Sequence, residues 1–135
     1  MRFPLTMVIF PEDYTVCQVP DFSQVCLDRP CSFAAYTGEE YSLVCRTSDV
    51  PIVTTAREDS WRLMKIDAVL DFSLIGILAD ISSLLAARGI SIFAVSTFNT
   101  DYILVRSADL AAACTTLREG GAEIDEPRTE REESR

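Results

Sequence analysis

The residues able to do chemistry are carboxylates, hydroxyls and thiols, because the chain contains no histidine. That absence removes the usual metal ligand, the usual general base, and both the Ser-His and Cys-His nucleophile pairs. The five cysteines, Cys17, Cys26, Cys31, Cys45 and Cys114, are odd in number and form no C-x-x-C pair, which suits neither a zinc site nor a disulfide framework. Cys17 and Cys45 end the apolar runs Thr15-Val16-Cys17 and Leu43-Val44-Cys45, where a reduced thiol is expected to serve as a small buried hydrophobe. Carboxylates are numerous, but no spacing pairs them as acid and base. The five glycines are scattered and make no G-x-G-x-x-G and no phosphate loop. The expectation is a protein that is not an enzyme and holds no metal and no cofactor.

Two segments depart from a purely structural pattern. Gly76 falls in the first turn of an otherwise strong helix, where glycine costs about 1 kcal/mol relative to alanine. Close packing against a strand is one explanation. The other is that a missing side chain lets a ligand reach the helix N-terminus, where free N–H groups and the positive end of the dipole hold a carboxylate. Asp71 and Ser73 lie beside that spot; they serve as caps, or Asp71 accepts hydrogen bonds from an ammonium group. The second segment is the turn Thr97-Phe98-Asn99-Thr100-Asp101, in which Asp101 is a turn residue or a ligand contact. The turn and the helix start need not meet within one copy and could meet across an interface between two.

The elements that position these residues follow from periodicity. Arg62 to Leu70 alternates and reads as a strand. Asp71-Phe72-Ser73 then caps a helix reaching Arg88, with Leu74, Ile77, Leu78, Ile81, Leu84 and Leu85 on one stripe and Gly89 as a left-handed C-cap. Ile90 to Phe98 reads as a central strand, Tyr102 to Arg106 as its hairpin partner. Ser107 or Asp109 caps a second helix with Leu110, Ala113, Cys114 and Leu117 on one face, and Ala122 to Asp125 supplies a last strand. This order, βαββαβ, is the ferredoxin-like unit of the α+β class, two helices on one face of an antiparallel sheet. In the first sixty residues, Leu5–Phe10 and Tyr14–Val19 flank a turn at Pro11-Glu12-Asp13, and Ser32–Tyr36 pairs with Tyr41–Arg46. Asp21 to Leu27 has room for one short helix.

Sliding the chain by sixty residues lays Ser32–Val50 over Ile92–Leu110 without a gap, matching Phe33, Ala34, Thr37, Arg46 and Asp49 to Phe93, Ala94, Thr97, Arg106 and Asp109. The expected organisation is an abbreviated, mostly β unit over 1–60, a full unit over 61–126, and a disordered acidic tail over 127–135. The net charge of −9 argues against a nucleic-acid partner. Because Glu119–Arg135 holds seven acids and three arginines, the ordered body is expected to be less acidic than the total. No apolar run approaches the ~20 residues of a membrane span, and the N-terminus lacks a secretory pattern, so a cytoplasmic protein with no membrane partner is expected.

Trp61-Arg62, Leu70-Asp71-Phe72-Ser73-Leu74-Ile75-Gly76-Ile77-Leu78 and Ile90 to Val105 together resemble the ACT superfamily of amino-acid-responsive regulatory domains. Within it the resemblance is to the small tandem-ACT proteins related to the cytosolic arginine sensor. It covers Trp61 to about Leu117; the first sixty residues share only the plan. The resemblance implies an amino acid bound between two ACT units, with signalling through a homodimer or another protein partner. On it, Asp71, Phe72 and Ser73 flank the pocket, and Gly76 and Ile77 offer N–H groups to the ligand carboxylate. Thr97, Phe98, Asn99 and Thr100 line the far end, and Asp101 meets a cationic group. Asp71 replaces a glycine of the arginine sensor and Thr100 an aromatic, so the site carries over and arginine as ligand does not. The rival implication is a homodimerising interaction module without a small ligand.

Overall fold

The computed structural model describes residues 5–68 and 76–126. The expected cap at Asp71–Ser73, the end of the first strand at 69–70, Leu74 and the tail from 127 lie outside the described residues. In chain order the strands are β1 (Leu5–Val19), β2 (Phe33–Tyr36), β3 (Tyr41–Arg46), β4 (Ala56–Ala68), β5 (Ile92–Ser96), β6 (Asp101–Arg106) and β7 (Glu123–Asp125). Helix α1 (Ile77–Ala86) precedes β5, and α2 (Leu110–Glu119) follows β6. Two compact units divide the chain, Glu12–Trp61 and Met1–Pro11 with Arg62–Arg135. The second of these therefore takes in the first eleven residues as well as the segment expected for it.

In the helical unit, the strand order is β7-β1-β4-β6-β5, and the expected βαββαβ sequence runs from β4 to β7. Its core forms because each element presents one apolar face. Leu5, Met7 and Ile9 alternate along β1, and Ile77, Ile81 and Leu85 recur every fourth residue on α1. Ile103 and Val105 of β6 and Ala113, Cys114 and Leu117 of α2 complete the cluster. The predicted α2 face is thus the buried one. Gly89, with φ +71, turns the chain out of α1, while the Ile90 amide returns to the Leu85 carbonyl at 3.0 Å. Arg88 pairs with Glu119 at 2.8 Å, but both are more than half exposed, so the pair contributes little.

Four expectations are corrected here. Pro11-Glu12-Asp13 is not a turn: β1 runs through it, because residues 5, 7, 9, 15, 17 and 19 keep one phase of burial and only the middle faces water. Ile90–Phe98 is not a central strand; β5 lies at the end of the strand order, and none of its residues is fully buried. Asp21–Leu27 forms no helix, since the Asp21 carboxylate accepts from the Ser23 amide at 2.9 Å and the Ser23 hydroxyl at 2.6 Å, a local turn that competes with helix formation. And β7 pairs parallel with β1 through Thr6–Val8, a parallel pair in an otherwise antiparallel arrangement.

In the Glu12–Trp61 unit the strand order is β2-β3-β1-β4, and no α-helix occurs among its described residues. At the sixty-residue offset the two hairpins share one register. Phe33 pairs with Val44 and Ala34 with Leu43, as Phe93 pairs with Leu104 and Ala94 with Ile103. The Thr37 amide meets the Glu40 carbonyl at 3.1 Å, and the Thr97 amide meets the Thr100 carbonyl at 2.9 Å. Single 3-10 turns follow both hairpins, at Thr47–Asp49 and Ser107–Asp109. Asp109 sits at the N-cap of α2 without a side-chain cap bond, so the 3-10 turn replaces the expected cap.

Because Ile81 is fully buried between helix and sheet residues, Ile81→Ala is expected to cost about 2–5 kcal/mol in urea denaturation. Arg88→Ala, removing an exposed pair, should cost less than about 1 kcal/mol.

Candidate functional site

Thr97 and Thr100 lock the β5–β6 turn. The Thr100 carbonyl accepts from both the Thr97 amide and the Thr97 hydroxyl, the latter at 2.8 Å. The Thr100 hydroxyl in turn donates to the Ile66 carbonyl on β4. Both hydroxyls are thus spent on backbone, and the turn is tethered to a core strand. Asp101, half-buried at the first position of β6, forms no ion pair with another described residue. Asn99 and Phe98 stand at the tip, with the Phe98 ring fully exposed.

The left-handed backbone of Gly76 (φ +85, ψ −3) directs the start of α1. This corrects the placement of Gly76 inside the helix: it is the N-cap residue, where an alanine is penalised by its backbone angles and not by helix propensity. A side chain there would meet nothing within 4 Å, so close packing does not account for the glycine. Among the described residues no side chain caps the helix, and its first amides lack intrahelical partners.

A cavity of about 170 Å³ is lined by Ile66, Ile77, Thr97, Phe98, Asn99, Thr100 and Asp101. Its floor is apolar, from the buried Ile66 and Ile77. Its rim carries Thr97, Phe98, Asn99, Thr100 and Asp101, and among the described residues Asp101 is the one charged residue of the lining. The volume lies below the ~300–1,000 Å³ of pockets for drug-sized ligands, so it has room for a small molecule only. Of the ten residues singled out in the sequence, Ile77, Thr97, Phe98, Asn99, Thr100 and Asp101 come together here within one copy of one unit. Gly76 adjoins Ile77 without lining the cavity, and Asp71, Phe72 and Ser73 lie outside the described residues. Ile66 was missed. Its alternation marked it as a strand residue, but nothing in sequence shows which turn reaches β4. A second, open depression of about 540 Å³, lined by Ser82, Ala86, Gly89, Ile90, Ser91 and Ile92, has no charged side chain.

The thiols are placed for packing. Cys17, Cys45 and Cys114 are buried and Cys26 is exposed. Burial pushes all three buried thiols above the ordinary value, Cys45 to about 12. Among the described residues no group of three or more Cys, Asp or Glu is placed to hold a metal ion, and no helix is long and apolar enough to cross a membrane.

The βαββαβ order, with helices on one sheet face, defines a strand-rich ferredoxin-like fold of the α+β class. Residues 56–119 match the ACT domain family. No curated protein matches the sequence. Among solved structures, the chain is similar to a protein from Agrobacterium tumefaciens at 25% identity, TM-score 0.81, over 93% of this chain and 96% of that one. It is also similar to a Vibrio cholerae protein of unknown function described as a possible transport protein, at 20% identity and TM-score 0.65, over 85% and 88%. An aspartate kinase of Clostridium acetobutylicum, described as an allosteric enzyme, shares the fold at 11% identity and TM-score 0.60, over 85% of this chain and 33% of the kinase.

Thiol burial sets a pH dependence. Between the ordinary thiol value of 9.0 and about 12, the unfolded chain releases a proton that native Cys45 retains. Stability is therefore fully present below pH 9 and is expected to fall as pH rises through that window, measured by urea denaturation. At pH 8 a thiol reagent should label Cys26 in the native chain, and Cys17, Cys45 and Cys114 only as it unfolds.

Proposed function

We propose that this chain is a non-catalytic, cytoplasmic regulatory protein that binds an amino acid with a cationic group in the cavity between the start of α1 and the β5–β6 turn. One observation carries the reading: Ile77 at the helix start and Asp101 in the hairpin line the same small cavity. A ligand carboxylate there meets the first-turn amides of α1 and the positive end of its dipole. The ligand cation meets Asp101, the one charged residue of the lining, and Ile66 and Ile77 seat its aliphatic part. The left-handed bend at Gly76 keeps the approach to those amides free of a side chain. Asp71, Phe72 and Ser73 take the rim in this reading, as the ACT resemblance implies.

The match of residues 56–119 to the ACT domain, and the fold shared with an allosteric aspartate kinase, support a regulatory role. Following the tandem-ACT likeness, an ACT unit of a second copy covers the exposed Phe98 and closes the site in a homodimer, with a ligand other than arginine. The rival reading, an interaction module without a ligand, draws on the same exposed Phe98.

Thermal denaturation against the twenty amino acids at millimolar concentration separates the two. Binding to the native state at a hundredfold excess over Kd adds about 2.7 kcal/mol. A cationic amino acid is expected to raise the midpoint, and Asp101→Asn to remove most of that shift while leaving the ligand-free midpoint within about 2 °C. A midpoint that no amino acid moves leaves the interaction module as the function.

A further inference from the structure

The hairpin turn beside the cavity is held by a side-chain bond to a neighbouring strand; the turn at the sixty-residue offset has an exposed glutamate in that place. Thr37 and Thr97 occupy the same position in their turns and close them alike. The Thr37 amide donates to the Glu40 carbonyl at 3.1 Å, and the Thr97 amide to the Thr100 carbonyl at 2.9 Å. Closing either hairpin therefore takes that threonine and the backbone. Two positions then differ together: Glu40 and Tyr41 stand where the other turn has Thr100 and Asp101. Glu40 is exposed, whereas Thr100 is half-buried and its hydroxyl donates to the Ile66 carbonyl on β4. The tether thus accompanies the carboxylate and the cavity, and is not a requirement of the hairpin.

Ile66 is the point to which both ends of the cavity refer. Its side chain lies in the core cluster with Ile77 and Ile81, which seat the first turns of α1. Its carbonyl holds Thr100, the residue directly before Asp101. Asp101 pairs with Ser96 at the last rung of the β5–β6 ladder before the turn. A carboxylate at that rung moves with the turn unless the turn is fixed from outside. The bonds of Thr97 stay within the turn and give no such hold. Strand β6 neighbours β4 in the sheet, and the Thr100 bond carries that attachment one residue further, into the turn itself.

We propose that Thr100 is the specificity-determining positioning residue of this site. By pinning the turn to β4 it fixes the separation between the Asp101 carboxylate and the first-turn amides of α1, and so the length of amino acid whose two charged ends both fit. The proposal rests on the amino-acid reading given above. A ligand held at both ends by groups of fixed separation is measured by its chain length. One methylene more or fewer draws a charged end from its partner or crowds Ile66 and Ile77, and a shaped apolar site discriminates such a step by about 10–200-fold. Without the tether the turn yields to the ligand, preorganisation is lost, and neighbouring lengths bind alike.

Isothermal titration calorimetry on the full chain with 2,4-diaminobutyrate, ornithine and lysine, each longer than the last by one methylene, measures that selectivity. The wild-type chain is expected to prefer one of them by at least about tenfold over the next. Thr100→Val keeps the branched side chain, removes the hydroxyl and leaves Asp101 in place; the preference should shrink to within about threefold. Thr100→Ser retains the donor and should retain the preference. A merely structural role would lower the thermal midpoint and weaken all three ligands alike, leaving their ratio unchanged. Thr100 lies in a surface turn, so both variants fold, as circular dichroism would verify. A preference that survives Thr100→Val, equal binding of the three by the wild-type chain, or a loss that Thr100→Ser shares overturns the inference and leaves the amino-acid reading standing. Binding of none of the three by the wild-type chain overturns both.

Discussion

The burial of one face of a β-hairpin is the constraint on which the rest of this structure depends. Ile103 and Val105 point inward from β6 and must be covered, and α1 and α2 are the cover. Each helix can lie there because its apolar residues recur near the helical period, and the transfer of that surface from water dominates the favourable side of folding. Once α1 is held on the sheet, its first turn is fixed relative to β4 and β6. The cavity is a consequence: Ile77 is anchored in the core by its side chain and borders open space at the same time.

Polar bonding then refines what packing begins. Thr97 closes the turn on itself and Thr100 ties it to the Ile66 carbonyl, so two hydroxyls beside the cavity stabilise its wall and are not available to a ligand. Among the described residues, what is left facing the cavity with a charge is Asp101. A site whose wall is rigid and whose free chemistry is one carboxylate suits recognition, where the ordering cost has already been met on folding. The tie between turn and core strand is a hydrogen bond that connects residues 34 positions apart.

Two hairpins share one register at an offset of sixty residues, and their comparison shows what the helices contribute. Leu43 and Cys45 repeat the inward positions of Ile103 and Val105, yet loops in place of helices leave Tyr36, Leu27, Ile52 and Val53 in water. The position of Asp101 is taken by Tyr41, whose ring packs against Phe22 and Tyr36. One hairpin thus frames a cavity with a carboxylate, the other a block of stacked aromatics.

The sequence by itself determined the element types, the stripe on each helix, the βαββαβ order, the repeat register and most of the cavity's lining residues. These depend on periodicity and on short-range turn chemistry, which neighbouring residues carry between them. It misread Pro11–Asp13 as a turn, because a proline and two acids look like a break until strands on either side hold them extended, and it left room for a short helix at Asp21–Leu27, where Ser23 bonds to Asp21 instead. Only the tertiary structure decided that β5 stands at an edge, that β7 joins β1 in parallel, that Gly76 bends left-handed ahead of α1, and that Ile66 lies behind the turn. Those outcomes rest on which strands become neighbours, a choice made by burying surfaces far apart in the chain, and no local pattern encodes it.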